Sequence, residues 1–335
     1  MSDWFLIIAL WVLLYCYLII ASVDFGLSFF LGYNCVFKKD REMSRLIKHY
    51  LSPVWDITNI LFLFLFIGLL SFLPHMTSLF EGGFVLPSIL ILLVLLIRSG
   101  GYAYVYYTGK DSYFIYVFYA ITGLAIPAAL ASGLTISEGG YLVQSGTEWW
   151  LVYRELLTSF YFWAVLILSI ISVLYISLMF MAYHAAKQGA HQVLETLKNY
   201  ILLWSVPTIL GSAIVFIGIQ SHNPIHFSRI LDLSWFFFCS LICLMVAITL
   251  VFQGRRFTTA FFFALLQFFF AFFGYGISHL PFVIYPDFVV HTHFYTSFTK
   301  NAIMLILIAV IALLIPILLL SLRYWIVNGK RTEAK

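Results

Sequence analysis

An all-α, polytopic membrane protein with nine transmembrane helices is what this sequence predicts, on three observations. Of 335 residues, 63% are hydrophobic and only 10% are charged, where soluble proteins carry about 25% charged residues. A soluble fold of this length has a large exterior to wet, and the chain lacks the polar residues to cover it. Apolar runs of about 20 residues, the length that crosses a bilayer, recur from end to end. The basic residues fall on alternate connections between those runs. Together these features exclude a soluble enzyme, a secreted disulfide scaffold and a nucleic-acid binder.

The runs lie at residues 4–37, 52–73, 84–107, 112–137, 150–186, 200–220, 230–252, 256–278 and 297–327. They are continuous, whereas a membrane strand shows about 10 residues of alternating pattern. No positive segment precedes the first run, and it is too long for a signal peptide, so it reads as a retained span. The first, fifth and ninth runs exceed 30 residues. At 1.5 Å per residue that is over ~45 Å of helix, so each is expected to project beyond the hydrocarbon or to tilt. Pro127, Pro207 and Pro316 lie inside runs and mark expected kinks.

Lys38, Lys39, Arg41, Arg45 and Lys48 occupy the first connection, Lys110 the third, Lys187 and Lys198 the fifth, and Arg255 and Arg256 the seventh. The tail adds Arg323, Lys330, Arg331 and Lys335, which places 14 of 18 basic residues on one side. Arg154, Arg229 and Lys300 lie near the other side, and Arg98 sits inside a run. Such alternation requires an odd number of spans, with the N-terminus outside and the C-terminus cytoplasmic. Trp4, Trp149, Trp150 and Trp325 fall near run ends, where an interfacial aromatic belt belongs. A long–short–short–short spacing occurs twice. It suggests a first four-helix unit at 1–137, a second at 150–278, and a ninth helix with a basic tail at 297–335, all in a single membrane domain.

Charge inside the membrane is the feature with chemical content. A central Asp or Arg costs about 2.5–3.5 kcal/mol even on lenient insertion scales, so it faces a partner or a water-filled cavity. Asp24 lies in the first run, Asp56 near the start of the second and Arg98 in the third. Counted from the flanking basic residues, Asp56 is ~10 Å deep and Asp24 and Arg98 are each ~20 Å deep. All three fall between the cytoplasmic surface and the midplane. Two readings follow: a polar path that admits protons or a cation from the cytoplasm, or an ion pair that fixes helix packing.

The histidines matter by position. His49, His75, His184, His191, His222, His226, His279, His291 and His293 all lie in connections or at run ends. A haem held inside a bundle needs axial His or Met ligands from its helices. None is expected to be bound by this chain's own ligands, and no metal site is assigned. His291-Thr292-His293 has metal-like spacing but reads as solvated loop. The four cysteines contain no CxxC pair and read as small hydrophobes. Gly139-Gly140 to Gly146 reads as an external turn, and Glu155 beside Arg154 as an interfacial pair.

Three segments then match a known pattern. Asp24-Phe25-Gly26, the stretch Ser52-Pro53-Val54-Trp55-Asp56-Ile57-Thr58-Asn59 and Arg98 together resemble subunit II of cytochrome bd-type quinol oxidases, most nearly the branch of Gram-positive bacteria. Better-known members carry Asp-Gly-Phe-Asp, of which only the second aspartate has a counterpart here, in Asp24. Their arginine is often followed by proline, where this chain has Ser99.

The resemblance implies a bacterial plasma-membrane protein that partners a larger, haem-bearing subunit I, with room for a small single-helix subunit and contacts to lipid and quinol. Haem b, haem d and quinol are expected in the complex through subunit I, which reduces dioxygen to water. The resemblance further implies that Asp56 is the proton entry and Asp24 a deeper relay. Arg98 would hold their charge, while Trp55 and Asn59 would order the helix entry. A secondary transporter with a buried Asp/Arg ion or proton site is the alternative. The chain shows no matched pair of short, interrupted segments of the kind transporters carry.

Overall fold

The computed structural model describes residues 2–38, 40–72, 85–108, 113–145 and 148–289. Ten helices and two small hairpins account for most of them. In chain order these are α1 (Ser2–Tyr33), α2 (Arg41–Phe72), α3 (Val85–Thr108), α4 (Tyr113–Ser137), β1 (Leu142–Ser145), β2 (Glu148–Leu151), α5 (Tyr153–Thr158), α6 (Phe160–Gln188), α7 (His191–His222), α8 (Pro224–Asp232), α9 (Ser234–Phe252), α10 (Phe257–His279), β3 (Phe282–Ile284) and β4 (Phe288–Val289). Among the described residues, seven helical segments are long and apolar enough to cross a membrane. The ninth expected run, with Pro316 and the basic tail, lies outside the described residues, as does His291-Thr292-His293.

Four boundaries differ from the sequence expectation. The first basic connection is largely helical: α1 closes in a π-helical turn at Asn34–Lys38, and α2 already begins at Arg41. Asp40 starts α2 by accepting the Glu42 and Met43 amides on its Oδ1 at 2.9 and 3.1 Å, a side-chain N-cap. Asn34, fully buried, staples the turn by donating to the Asp40 carbonyl and to Ser44 Oγ, both at 2.6 Å.

The fifth run is not one projecting helix. Its first residues pair as the antiparallel β1–β2 hairpin, α5 adds little more than a turn, and α6 starts afresh at Phe160. Ser159 makes the break. Its backbone is extended, and its hydroxyl accepts the Phe162 amide at the new helix start. The seventh run is likewise preceded by a separate helix, α8, capped by Asn223 with Pro224 in its first turn. The sixth extends further than its apolar residues, since α7 spans His191–His222.

The described residues form two compact units. One comprises residues 2–21 and 48–72, and the other comprises 22–38, 40–47 and the described residues from 85 onward. In the smaller unit, Leu13, Tyr17, Ile57, Leu61 and Leu65 are buried, and the Tyr17 and Phe62 rings meet at 5.8 Å. In the larger unit the core centres on α6, where Leu174, Tyr175, Leu178, Met179 and Met181 are almost fully enclosed. Lipid is as apolar as these side chains, so van der Waals packing rather than water exclusion holds such helices together.

Close packing needs small residues at the crossings. A Cβ added at Gly26 of α1 would fall on the Ser177 side chain and the Val173 carbonyl of α6. Gly139, just past α4, has φ +82°, and an added Cβ would collide with the Tyr285 carbonyl. The Tyr285 amide in turn donates to the Ser137 carbonyl at 2.8 Å, which ties the β3–β4 hairpin to the end of α4.

Gly26→Val is therefore expected to cost about 1–3 kcal/mol by overpacking, read as a lowered melting midpoint and lost monodisperse protein on size exclusion. Gly133→Ala, where an added Cβ meets nothing within 4 Å, is expected to stay within about 1 kcal/mol of the parent. Equal behaviour of the two variants would show that α1 and α6 are not in tight contact.

Candidate functional site

Two polar centres lie inside the larger unit. The first is built on α3, whose neighbouring side chains Leu96 and Ile97 are exposed while Arg98 turns inward and is 3% exposed. Its Nη2 donates to Asp24 Oδ1 at 3.2 Å and to Ser28 Oγ at 2.5 Å. Its Nη1 donates to Thr122 Oγ1 at 3.0 Å and to the Tyr119 carbonyl at 3.4 Å. Asp24 and Ser28 are one turn apart on α1 and so share a face.

The hydroxyl directions are fixed by the helices themselves. Ser28 donates to the Asp24 carbonyl at 2.8 Å and Thr122 to the Phe118 carbonyl at 2.8 Å, so both accept from Arg98. The guanidinium also lies over the Phe25 and Tyr119 rings, 5.0 and 5.5 Å from their centroids. The pair is a buried charge-assisted contact between α1 and α3, with α4 supplying neutral acceptors.

Of the five residues singled out in the sequence, the fold brings Asp24 and Arg98 together. Asp56 is on α2 in the smaller unit, and its side chain is exposed rather than buried. Trp55 beside it is half-buried. Asn59 turns its amide back onto the Trp55 carbonyl at 3.0 Å, and Thr58 bonds the Val54 carbonyl at 2.9 Å. Both side chains are thus satisfied within α2 itself.

The second centre has no counterpart in the sequence reading. Glu138 follows the last residue of α4 and is 2% exposed. It meets His226 of α8 and Tyr275 and His279 of α10, all inside the same unit. Both carboxylate oxygens lie 2.9 Å from His226 Nδ1. Tyr275 donates its hydroxyl to Oε1 at 2.5 Å, and Asn223 Nδ2 donates to Oε2 at 3.0 Å. His279 Nδ1 stands 3.6 Å from Oε1. Above the cluster, His222 is sandwiched between the Tyr141 and Tyr161 rings at 5.0 and 5.6 Å, near-parallel to both, and reaches the Gly139 carbonyl at 3.1 Å.

Burial opposes charge on Glu138, yet hydrogen bonds and positive charge from His226, with His279 and Tyr275, outweigh it and hold the carboxyl below its usual range. Burial pushes the Tyr141 hydroxyl up, against the pull of its hydrogen bond to Ser159. Sequence inspection placed His226 and His279 at run ends and passed over Glu138. One signal was present: strict alternation of spans puts the end of the fourth, the start of the seventh and the end of the eighth on one side.

The chain matches the family described as cytochrome bd terminal oxidase subunit II over residues 2–327. It is 24% identical over 317 residues to the "Putative cytochrome bd menaquinol oxidase subunit II" of Bacillus subtilis (strain 168), covering 92% of this chain and 90% of that one. A chain of the bd oxidase structure from Geobacillus thermodenitrificans is similar with a TM-score of 0.83 at 35% identity, over 98% of this chain and 99% of that one. With its apolar helices, the match marks a multi-pass bacterial membrane protein. The chain belongs to the cytochrome bd terminal oxidase subunit II family.

Proposed function

We propose that this chain is subunit II of a terminal quinol:oxygen oxidoreductase in a respiratory chain. It supports a larger, haem-bearing subunit I and helps conduct cytoplasmic protons to the site where dioxygen is reduced to water. The observation that carries this reading is a likeness running nearly end to end, from the family match over residues 2–327 to the 98% coverage by a bd oxidase chain. The secondary-transporter alternative finds no support in those matches.

In this reading nine spans cross the membrane, N-terminus outside and C-terminus cytoplasmic, because 14 of 18 basic residues then face the cytoplasm. Haem b, haem d and quinol belong to subunit I, and a small single-helix subunit and lipid complete the surroundings. The buried imidazoles among the described residues favour that division. His226 and His279 both turn to Glu138, so neither is directed at a haem.

Asp56 is the proton entry, since its carboxyl is exposed near the cytoplasmic start of the second span. Trp55 and Asn59 order the helix around it. Asp24 is the deeper relay, enclosed with hydroxyls at Ser28 and Thr122 around the same guanidinium. Arg98 keeps the negative charge of Asp24 tolerable in the membrane interior.

Affinity purification of the tagged chain from gently solubilised native membranes tests the assignment. A co-eluting larger subunit and haem d bands in the reduced-minus-oxidised spectrum are expected; a colourless, homogeneous eluate refutes it. In the assembled complex, Asp24→Asn and Asp56→Asn are each expected to lower quinol oxidase turnover by about 10²-fold, the low end of what a positioned proton-transfer group contributes. Haem spectra should stay unchanged. Turnover at the parent level in both variants would remove the relay.

The packing role of the pair is separable. Arg98→Gln alone strands a buried carboxylate and is expected to cost about 3–5 kcal/mol. The double variant Asp24→Asn/Arg98→Gln should lose less than the sum of the singles, with a coupling of about 1–3 kcal/mol in thermal midpoints. Strict additivity would mean the two side chains do not interact.

A further inference from the structure

Glu138, His226 and His279 take no part in the proton entry described above, and all three are buried. The hydrogen-bond directions around them are informative. Ser278 Oγ gives its single proton to the Tyr275 carbonyl at 2.7 Å, so toward His226 Nε2, also at 2.7 Å, it accepts. The network thereby assigns the His226 proton to Nε2. Nδ1 of a neutral His226 then directs a lone pair at two carboxylate oxygens 2.9 Å away.

Those oxygens are already acceptors. Tyr275 donates to Oε1 and Asn223 to Oε2. The Asn223 amide cannot be reversed without loss, because its Oδ1 caps α8 by accepting the His226 amide at 3.1 Å. Lone pairs therefore face lone pairs unless positive charge lies between them. His279 turns its own Nδ1 to the same Oε1 at 3.6 Å, too far for a hydrogen bond. Its Nε2 is buried, and the Val283 backbone is a further polar neighbour of the ring.

Two imidazole nitrogens and a carboxylate oxygen thus converge, all within 4.8 Å of one another. Around a tetrahedral cation with bonds of about 2.0–2.1 Å, neighbouring ligand atoms stand about 3.3 Å apart. The Glu138–His226 and Glu138–His279 separations of 2.9 and 3.6 Å bracket that value. The supporting contacts are those a metal seat needs: Ser278 orients one imidazole, and Tyr275 and Asn223 orient the carboxylate.

We propose that Glu138, His226 and His279 bind a divalent first-row transition cation, zinc by preference, that clips the end of α4 to α8 and α10. Two imidazoles and one carboxylate are a borderline donor set, suited to zinc and unsuited to magnesium or calcium. The fourth position is left to water. The cation replaces the proton between His226 and Glu138 and gives His279 a ligand role. Its three ligands come from elements 88 and 53 residues apart in sequence, so it cross-links a long stretch of chain. The inference concerns this chain's own residues and does not depend on the oxidase reading.

The test uses the full-length chain with its natural partners, purified in metal-depleted detergent buffers, with zinc, copper and manganese measured by plasma mass spectrometry. Iron is not read, because haem iron would swamp it. About one zinc per chain is expected, falling about tenfold or more in Glu138→Gln and in His279→Ala. His191→Ala, on an exposed residue outside the cluster, should leave it unchanged. As a test independent of whether the cluster variants assemble, the parent complex is also stripped with chelator and dialysed against zinc. It should regain one equivalent and melt at a higher temperature. Less than about one tenth of an equivalent after that dialysis, or zinc undiminished in both cluster variants, overturns the proposal. The first result would leave a proton, as an imidazolium–carboxylate pair, in the place assigned to the metal.

Discussion

Arg98 is held in a membrane-spanning helix only because its charge and its N–H groups are satisfied inside the protein, since lipid offers no alternative partner. That requirement propagates. The carboxylate must come from α1, and Asp24 can reach only if α1 lies close to α3 in one register. Ser28 follows one turn on, and Thr122 must arrive from α4 at the same depth. The approach of α1 is in turn permitted by Gly26 against α6 and by Gly123 of α4, where an added Cβ would strike the Phe25 backbone. A single guanidinium thus sets the relative heights of three helices, and small residues let the backbones come near enough for it to do so.

The same rule explains how much could be read from the chain. Long apolar runs are legible because a bilayer imposes length and composition together, and α3, α4, α9 and α10 begin and end within a few residues of expectation apart from the helix that precedes α9. Asp24 and Arg98 were legible because charge in an apolar run has few explanations. What stayed hidden was governed by groups that carry no hydropathy signal. Asp40 and Asn34 start α2 inside a basic segment that otherwise looks like loop, and Ser159 divides a run that reads as one span despite Arg154 and Glu155. Asp56 has the same chemistry as Asp24 and a similar setting in sequence, yet its side chain is exposed. Hydropathy gives depth and not facing.

The Glu138 cluster was hidden for a different reason. Each member sits at a helix end, where a polar residue is ordinary, and only convergence makes it unusual. Glu138 follows α4, Asn223 and His226 open α8, and Tyr275, Ser278 and His279 close α10. Along α4, Glu138 is 16 residues beyond Thr122, or ~24 Å. The larger unit therefore carries two buried polar centres separated by most of a membrane thickness, with an apolar stretch of α4 between them. They share the device of a charge enclosed by oriented hydroxyls and rings, and α4 contributes to both.

The partners of Arg98 bear on what Asp24 can do. An ion pair whose cation had only the carboxylate for company would resist protonation, because a neutral Asp24 would leave a bare buried charge. Arg98 is not in that position. Ser28, Thr122 and the Tyr119 carbonyl accept from it as neutral groups, and the Phe25 and Tyr119 rings lie against its face. These contacts do not involve the charge of Asp24, so the guanidinium would stay held were the proposed relay to protonate the carboxylate. Five N–H donors need acceptors in any buried guanidinium site, so these neutral partners serve packing as well as the relay proposed at Asp24.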